Sequence, residues 1–285
     1  MKITEIINGK DRSLSFEVFP PKTSDKYDSV SEAVKEIAML SPSYMSVTYG
    51  AGGGTSEYTA RIAAELNSLG VNSISHLTCI SSTKECVQNQ LEILKSIGVE
   101  NILALRGDIP DNHNIDKLDF HYAYELIDEI RSQGDFCIGG ACYPECHPES
   151  KSIIDDINYL KLKVEHGCDF LTTQMFFENE IFYRFIDRLY DNGIHVPVIP
   201  GIMPITAYSQ VERMVKLSGN KLPDSFSAMI EKYKESPDDL KKAGVEYAIL
   251  QARDIYEKGF RAVHIYSMNK PDVAREIKNS LKDLL

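Results

Sequence analysis

The segment Ser15-Phe16-Glu17-Val18-Phe19-Pro20-Pro21-Lys22 sets one carboxylate inside an aromatic, β-prone run that ends at a double proline. That is the composition of a buried strand leading into a rigid turn. A carboxylate taken out of water without a cationic partner has its pKa raised, because desolvation penalises the charged form. Such a group stays protonated near neutrality and can donate a proton, so Glu17 is a candidate general acid. For the segment alone, the alternative is a glutamate at a sheet edge, or one paired with Lys22 or Lys26.

Other polar groups recur just after short apolar runs: Thr48-Tyr49-Gly50-Ala51-Gly52-Gly53-Gly54-Thr55, His76-Leu77-Thr78, Arg106-Gly107-Asp108, Tyr143-Pro144-Glu145-Cys146-His147-Pro148-Glu149, and Gln174. Singly, each has a plain explanation. The glycines form a flexible turn or let backbone N–H groups approach an anion; His76 is a core histidine; Arg106 and Asp108 pair together or cap a helix. Cys137, Cys142 and Cys146 lie near His147, but a structural zinc usually needs two close ligand pairs and no second pair is present, so no metal site is expected. The six cysteines read as reduced thiols.

Strand-like runs at Leu14–Phe19, Tyr44–Tyr49, Ser73–Thr78, Asn101–Leu105, Phe136–Cys142, Phe170–Met175, Val196–Pro200 and Ala262–Tyr266 alternate with helical patterns at Val30–Leu40, Glu57–Leu69, Lys84–Ile97, Tyr122–Ser132, Ile153–His166, Ile181–Asn192 and Ala207–Leu217. Such alternation predicts parallel strands with crossover helices. In 285 residues it fits an α/β fold of the (β/α)8 TIM-barrel type, residues 1–285 forming a single barrel domain. Leu222–Gly259 reads as extra helices before the last strand. The runner-up, an open doubly wound sheet, lacks its G-x-G-x-x-G fingerprint, because Phe19-Pro20-Pro21 fills the first turn. In a barrel, active-site groups stand at the C-terminal strand ends, and the polar clusters above all fall there.

A net charge of -11, with basic residues scattered among acids, argues against nucleic acid. No apolar stretch is long enough to span a membrane, and Met1-Lys2-Ile3-Thr4-Glu5 lacks a signal peptide's apolar core, so a cytoplasmic protein is expected.

The blocks Phe16–Lys22, Val47–Ala51, His76–Ile80, Ala104–Asp108, Tyr143–Glu145 with His147–Glu149, Thr173–Phe177 and Ile199–Pro204 closely resemble, in order and spacing, the motifs of the methylenetetrahydrofolate reductase family. The resemblance covers nearly the whole chain. It implies a (β/α)8 barrel that holds FAD and reduces 5,10-methylenetetrahydrofolate to 5-methyltetrahydrofolate by a ping-pong reaction, with NADH as the default donor. By resemblance FAD is contacted by Thr48, Tyr49, Ala51, His76, Arg106, Gly107, Asp108, Tyr122, Ala123, Tyr143, His147, Asp156 and Lys163, with Arg106 and Lys163 offsetting the diphosphate charge. Glu17 becomes the proton donor to the folate, Asp108 a carboxylate near flavin and pterin, and Asp108, Gln174, Gln210 and Lys270 the folate contacts. Lys270 stands where some members have arginine, Met214 where some have an aromatic residue, and Tyr159 and Leu162 where some have polar groups. The expected partners are the folate and a second copy of the chain in a homo-oligomer. The alternative is a flavin- and folate-binding subunit of a larger methyl-transfer or reductase complex, taking electrons from a partner protein. The chain ends after the barrel, so no allosteric inhibition through a C-terminal regulatory domain is expected.

Overall fold

The computed structural model describes residues 1–49, 56–80, 82–108, 118–211, 214 and 222–285. Its strands are β1 Ser13–Val18, β2 Met45–Val47, β3 Ser73–Thr78, β4 Asn101–Leu105, β5 Cys137–Cys142, β6 Phe170–Thr173, β7 Val198–Ile199, β8 Gly201–Ile202 and β9 Ala262–Tyr266. They pair in parallel in the order β7-β6-β5-β4-β3-β2-β1-β9-β8. β7 and β8 are one extended run interrupted at Pro200, which has no N–H to give to a ladder. The run pairs with β6 before the proline and with β9 after it. Leu171 N donates to Pro197 O at 2.8 Å and His264 N to Pro200 O at 2.9 Å, so the sheet closes as a (β/α)8 barrel with a split seventh strand. The expected strand Val196–Pro200 stopped too soon because the proline marks a change of partner, not an end.

Alternation along each strand separates two environments. Phe16, Val18, Met45, Val47, Leu77, Ile102, Val263 and Ile265 face the helices and build the main core. The opposite face fills the lumen in layers. Its lower layer is apolar: Tyr44, Ile74, Leu103, Cys137, Phe170, Ile199 and Ala262 pack with Ile3 and Ile7 of the helix Ile3–Ile7, which plugs the N-terminal end. Asn101 fastens that plug, accepting from Ile3 N at 2.9 Å and donating to the Met1 carbonyl at 3.2 Å. Toward the C-terminal strand ends the lumen's upper layer turns polar.

Local rules set the helix ends. The hydroxyls of Thr83 and Ser152 accept from Cys86 N and Asp155 N, capping the helices Lys84–Ser96 and Ile153–Glu165. Phe182, Phe185 and Leu189 are the buried stripe of Asn179–Asp191. Two helices, Asp224–Tyr233 and Pro237–Glu257, precede β9, as the Leu222–Gly259 segment predicts. With Ile205, Val211 and Met214 they share a separate small core through Phe226, Ile230 and Leu240. Part of the expected helix Ala207–Leu217 lies outside the described residues. Among the described residues no helix is long and apolar enough to cross a membrane, and no group of His, Cys, Asp and Glu could hold a metal.

Candidate active site

A cavity of about 250 Å³ opens at the C-terminal end of the barrel, walled by Glu17, Ser46, Thr48, His76, Leu105, Tyr143, Gln174, His264 and Tyr266, among others. Glu17, Thr48, His76, Tyr143 and Gln174, all picked out from the sequence, thus meet in one space. Register explains the meeting: Glu17 pairs with Ser46 across β2 and with Tyr266 across β9, and the pleat turns this level of the strands inward.

Around Glu17 stand two imidazoles. His76 Nε2 lies 3.5 Å and His264 Nε2 3.9 Å from Glu17 Oε2. The Ser46 hydroxyl donates to the same oxygen at 3.4 Å. His264 is itself fixed at both ends, its Nδ1 2.7 Å from Ser15 Oγ and its Nε2 3.1 Å from Ser46 Oγ. Burial pushes the Glu17 carboxyl up, as expected. Attraction to His264 and His76 and the Ser46 hydroxyl outweighs it and holds the pKa below the ordinary carboxylate value. This corrects the expectation of a raised pKa, which assumed no cationic partner. Burial pushes His76 down, against the pull of Glu17. The carboxylate and His76, 3.5 Å apart, titrate as a pair and can keep a proton beside the cavity. His76 Nε2 is buried with no hydrogen-bond partner among the described residues, which leaves it for whatever enters.

Beyond β4 and β5 the cations of the rim already have partners. Arg106 is gripped by both Glu149 oxygens, at 2.5 and 2.6 Å, and its Nε donates to Gly107 O. Lys163 Nζ donates to Ala141 O at 2.7 Å, and burial pushes its pKa down. One of these cations is thus paired and the other tucked under β5. Asp156 is buried and buckles a turn, accepting from His147 N at 3.1 Å and from the Ser150 hydroxyl at 3.3 Å. The His147 ring meets Tyr143 edge-on with centroids 4.6 Å apart. Gly107 has φ +86°, and a Cβ there would sit 3.1 Å from Thr78 Cβ, so the chain needs glycine where it leaves β4. Asp108 follows on the exposed rim. Tyr122 stacks on Tyr159, with centroids 5.4 Å apart, so the tyrosine standing in place of a polar group has an aromatic partner; Ala123 is buried at the start of its helix. Tyr49 packs against the main core, and Ala51 lies outside the described residues.

A second cluster stands past the ends of β8 and β9, where Thr206 joins Gln210 to Lys270. The turn before Lys270 is strained. Met268 and Asn269 have φ of 54° and 52°, a region most L-residues avoid, and each costs on the order of 1 kcal/mol. It persists because Asn269 accepts from Phe19 N at 3.0 Å and donates to Phe19 O at 2.9 Å, while the Ser267 hydroxyl donates to Glu17 O at 2.6 Å. Asn269→Ala should therefore loosen Lys270 and lower Tm by about 2–4 °C, read by thermal melting. The sequence reading missed Ser15, Ser46, His264 and Tyr266. Their signal was alternation: each is a polar residue at an inward position of a strand already assigned.

A family model described as Methylenetetrahydrofolate reductase matches residues 2–282. The chain is 35% identical over 285 residues to methylenetetrahydrofolate reductase (NADH) 1 of Arabidopsis thaliana, which covers 94% of this chain but 48% of that one. It thus spans about half the length of such plant relatives. It is 32% identical over 270 residues to the 5,10-methylenetetrahydrofolate reductase of Pectobacterium carotovorum subsp. carotovorum, covering 94% of this chain and 90% of that one. Among solved structures it resembles an uncharacterized Clostridium thermocellum protein that binds two copies of 5-methyl-5,6,7,8-tetrahydrofolic acid, with a TM-score of 0.68 and 18% identity over 99% and 98% of the two chains. At that identity the likeness is one of fold alone.

Proposed function

Because the chain belongs to the methylenetetrahydrofolate reductase family, we propose that it reduces 5,10-methylenetetrahydrofolate to 5-methyltetrahydrofolate, using FAD and NADH, with Glu17 as the proton donor. The observation that carries this reading is the Glu17 carboxylate on the cavity wall with two imidazoles within 4.0 Å. Folate affinity alone does not call for a proton store in the lumen.

The residues present suit a flavin. The buried His76 Nε2, inside β3, has no hydrogen-bond partner among the described residues, and Thr48, Arg106, Gly107, Asp108, Tyr143 and His147 follow β2, β4 and β5. FAD, when bound, would supply hydride to the folate. The chain supplies the proton and the placement. A methylene bridge between two nitrogens accepts hydride poorly until one C–N bond opens, and a proton on the leaving nitrogen promotes that opening. A folate seated at the mouth excludes water and strengthens the effect of burial on Glu17, which already pushes its pKa up. The proton shared with His76 then moves onto the carboxyl next to the substrate. Gln174 turns its Oε1 to Met175 N at 3.0 Å, and its amide also engages Tyr143, which places both side chains on the cavity wall for the pterin.

Anaerobic spectroscopy of the purified protein tests the reading. Flavin absorbance should bleach with NADH and return on adding methylenetetrahydrofolate. Protein without flavin, or bleached flavin that folate does not reoxidise, would remove it. Flavin that NADH leaves coloured but folate can reoxidise after chemical reduction would move the electron source to a partner protein.

A further inference from the structure

We propose that Thr206 is a positioning residue: it holds the Gln210 amide and the Lys270 ammonium, the two folate contacts that the family resemblance implies here, so that both turn N–H groups toward one acceptor oxygen of the substrate, a carbonyl or a carboxylate. The inference rests on the folate reading above. Thr206 is 8% exposed and follows β8. Its backbone N–H donates to Gln210 Oε1 at 2.8 Å, and its hydroxyl donates to the same oxygen at 2.9 Å. A backbone N–H can only donate, so the amide oxygen must face Thr206 and the amide nitrogen must face away. The hydroxyl has one proton, given to Gln210, so its lone pairs receive Lys270, whose ammonium can only donate.

Hydrogen-bond polarity therefore runs one way, from Lys270 through Thr206 to Gln210. What this corner has left to offer is N–H groups: those of the Gln210 amide and the remaining ammonium protons. No carboxylate among the described residues lies within ion-pair distance of Lys270, and the nearby Asp272 is held by Lys241. Burial and Lys241 push the Lys270 pKa down, so an oxygen arriving here relieves a partly desolvated cation. The strained turn at Met268 and Asn269, tied to Phe19, fixes Lys270 from the side of β1, and Thr206 fixes it from the side of β8.

The test compares Thr206→Val, Thr206→Ser and Gln210→Glu by calorimetric binding of 5-methyltetrahydrofolate and by both half-reactions. Thr206→Val should weaken binding about 10-fold, while Thr206→Ser restores it to within about two-fold of wild type. Flavin content should not move, and the serine variant should restore the folate half-reaction along with binding. Gln210→Glu still accepts both hydrogen bonds from Thr206 but turns an acceptor outward, and should weaken binding about 100-fold. Repeating the titration with 5-methyltetrahydropteroate, which lacks the glutamate, identifies the oxygen. A valine penalty that persists assigns the ring or benzoyl carbonyl; one that vanishes assigns the glutamate carboxylates. Wild-type protein that binds folate as tightly as Thr206→Val does, or a serine variant as weak as the valine one, overturns the assignment alone. Wild-type protein that binds no folate overturns the functional reading and this assignment with it.

Discussion

Glu17→Gln is expected to keep the flavin and its bleaching by NADH within about two-fold of wild type, and to slow the folate half-reaction by about 10²–10⁴-fold. Glutamine has the same shape and can still accept from Ser46, which now reaches Glu17 Oε2 at 3.4 Å, but it cannot pass a proton to a leaving nitrogen. A pH series separates proton donation from mere packing. The Glu17 pKa is held below its ordinary value in the open cavity, so the protonated share of the cluster falls as pH rises. The folate half-reaction of wild type should slow toward alkaline pH, and that slope should flatten in Glu17→Gln. The same depressed pKa has a consequence for stability. Its contribution is present above the unfolded value of about 4.3 and is lost as pH falls through the folded one, so wild type should lose more stability than the variant on acidification. Near-normal folate turnover in Glu17→Gln would remove Glu17 from the chemistry.

The barrel was legible in the sequence because each strand carries its own apolar run and turn, and the rim was legible because polar clusters follow those runs. What surrounds Glu17 was not. The run Ala262-Val263-His264-Ile265-Tyr266 was read as a strand from its β-prone residues, yet which face His264 takes depends on register with β1, where Ser15 lies opposite His264 and Glu17 opposite Tyr266. Pairing between the two ends of the chain leaves no local trace. Inspection of the segment around Glu17 alone therefore sees an uncompensated carboxylate, and the sign of its pKa shift comes out wrong. The Arg106–Glu149 pair was hidden for the same reason: its partners leave adjacent strands far apart in the chain. Pro200 misled in a different way, since a residue without an N–H reads as a strand end, whereas a closed barrel can use it to hand the chain from one neighbour to the next.

Gly244→Ala should have a large effect at a site away from the cavity, and its sign is what makes it informative. Gly244 lies inside the helix Pro237–Glu257, where alanine is intrinsically better than glycine by about 1 kcal/mol. If nothing pressed on it, the variant would be more stable than wild type. But a Cβ at Gly244 would lie 1.9 Å from Ile205 O and 2.8 Å from Ile205 C, and those are backbone atoms that no rotamer change can move aside. Nor is the helix free to back away, since Tyr247 donates to Phe177 O at 2.5 Å and Gln251 to Phe176 O at 2.9 Å on the loop after β6. The segment Ile205–Thr206 has to yield, at a cost of about 2–3 kcal/mol and a Tm lower by about 5–10 °C. Thr206 moves with Ile205, so folate binding should weaken as it does in Thr206→Val while flavin content stays normal. A Tm equal to or above that of wild type would mean that the helix does not press on this loop. The close backbone contact that seats Thr206 between Gln210 and Lys270 would then have no energetic weight.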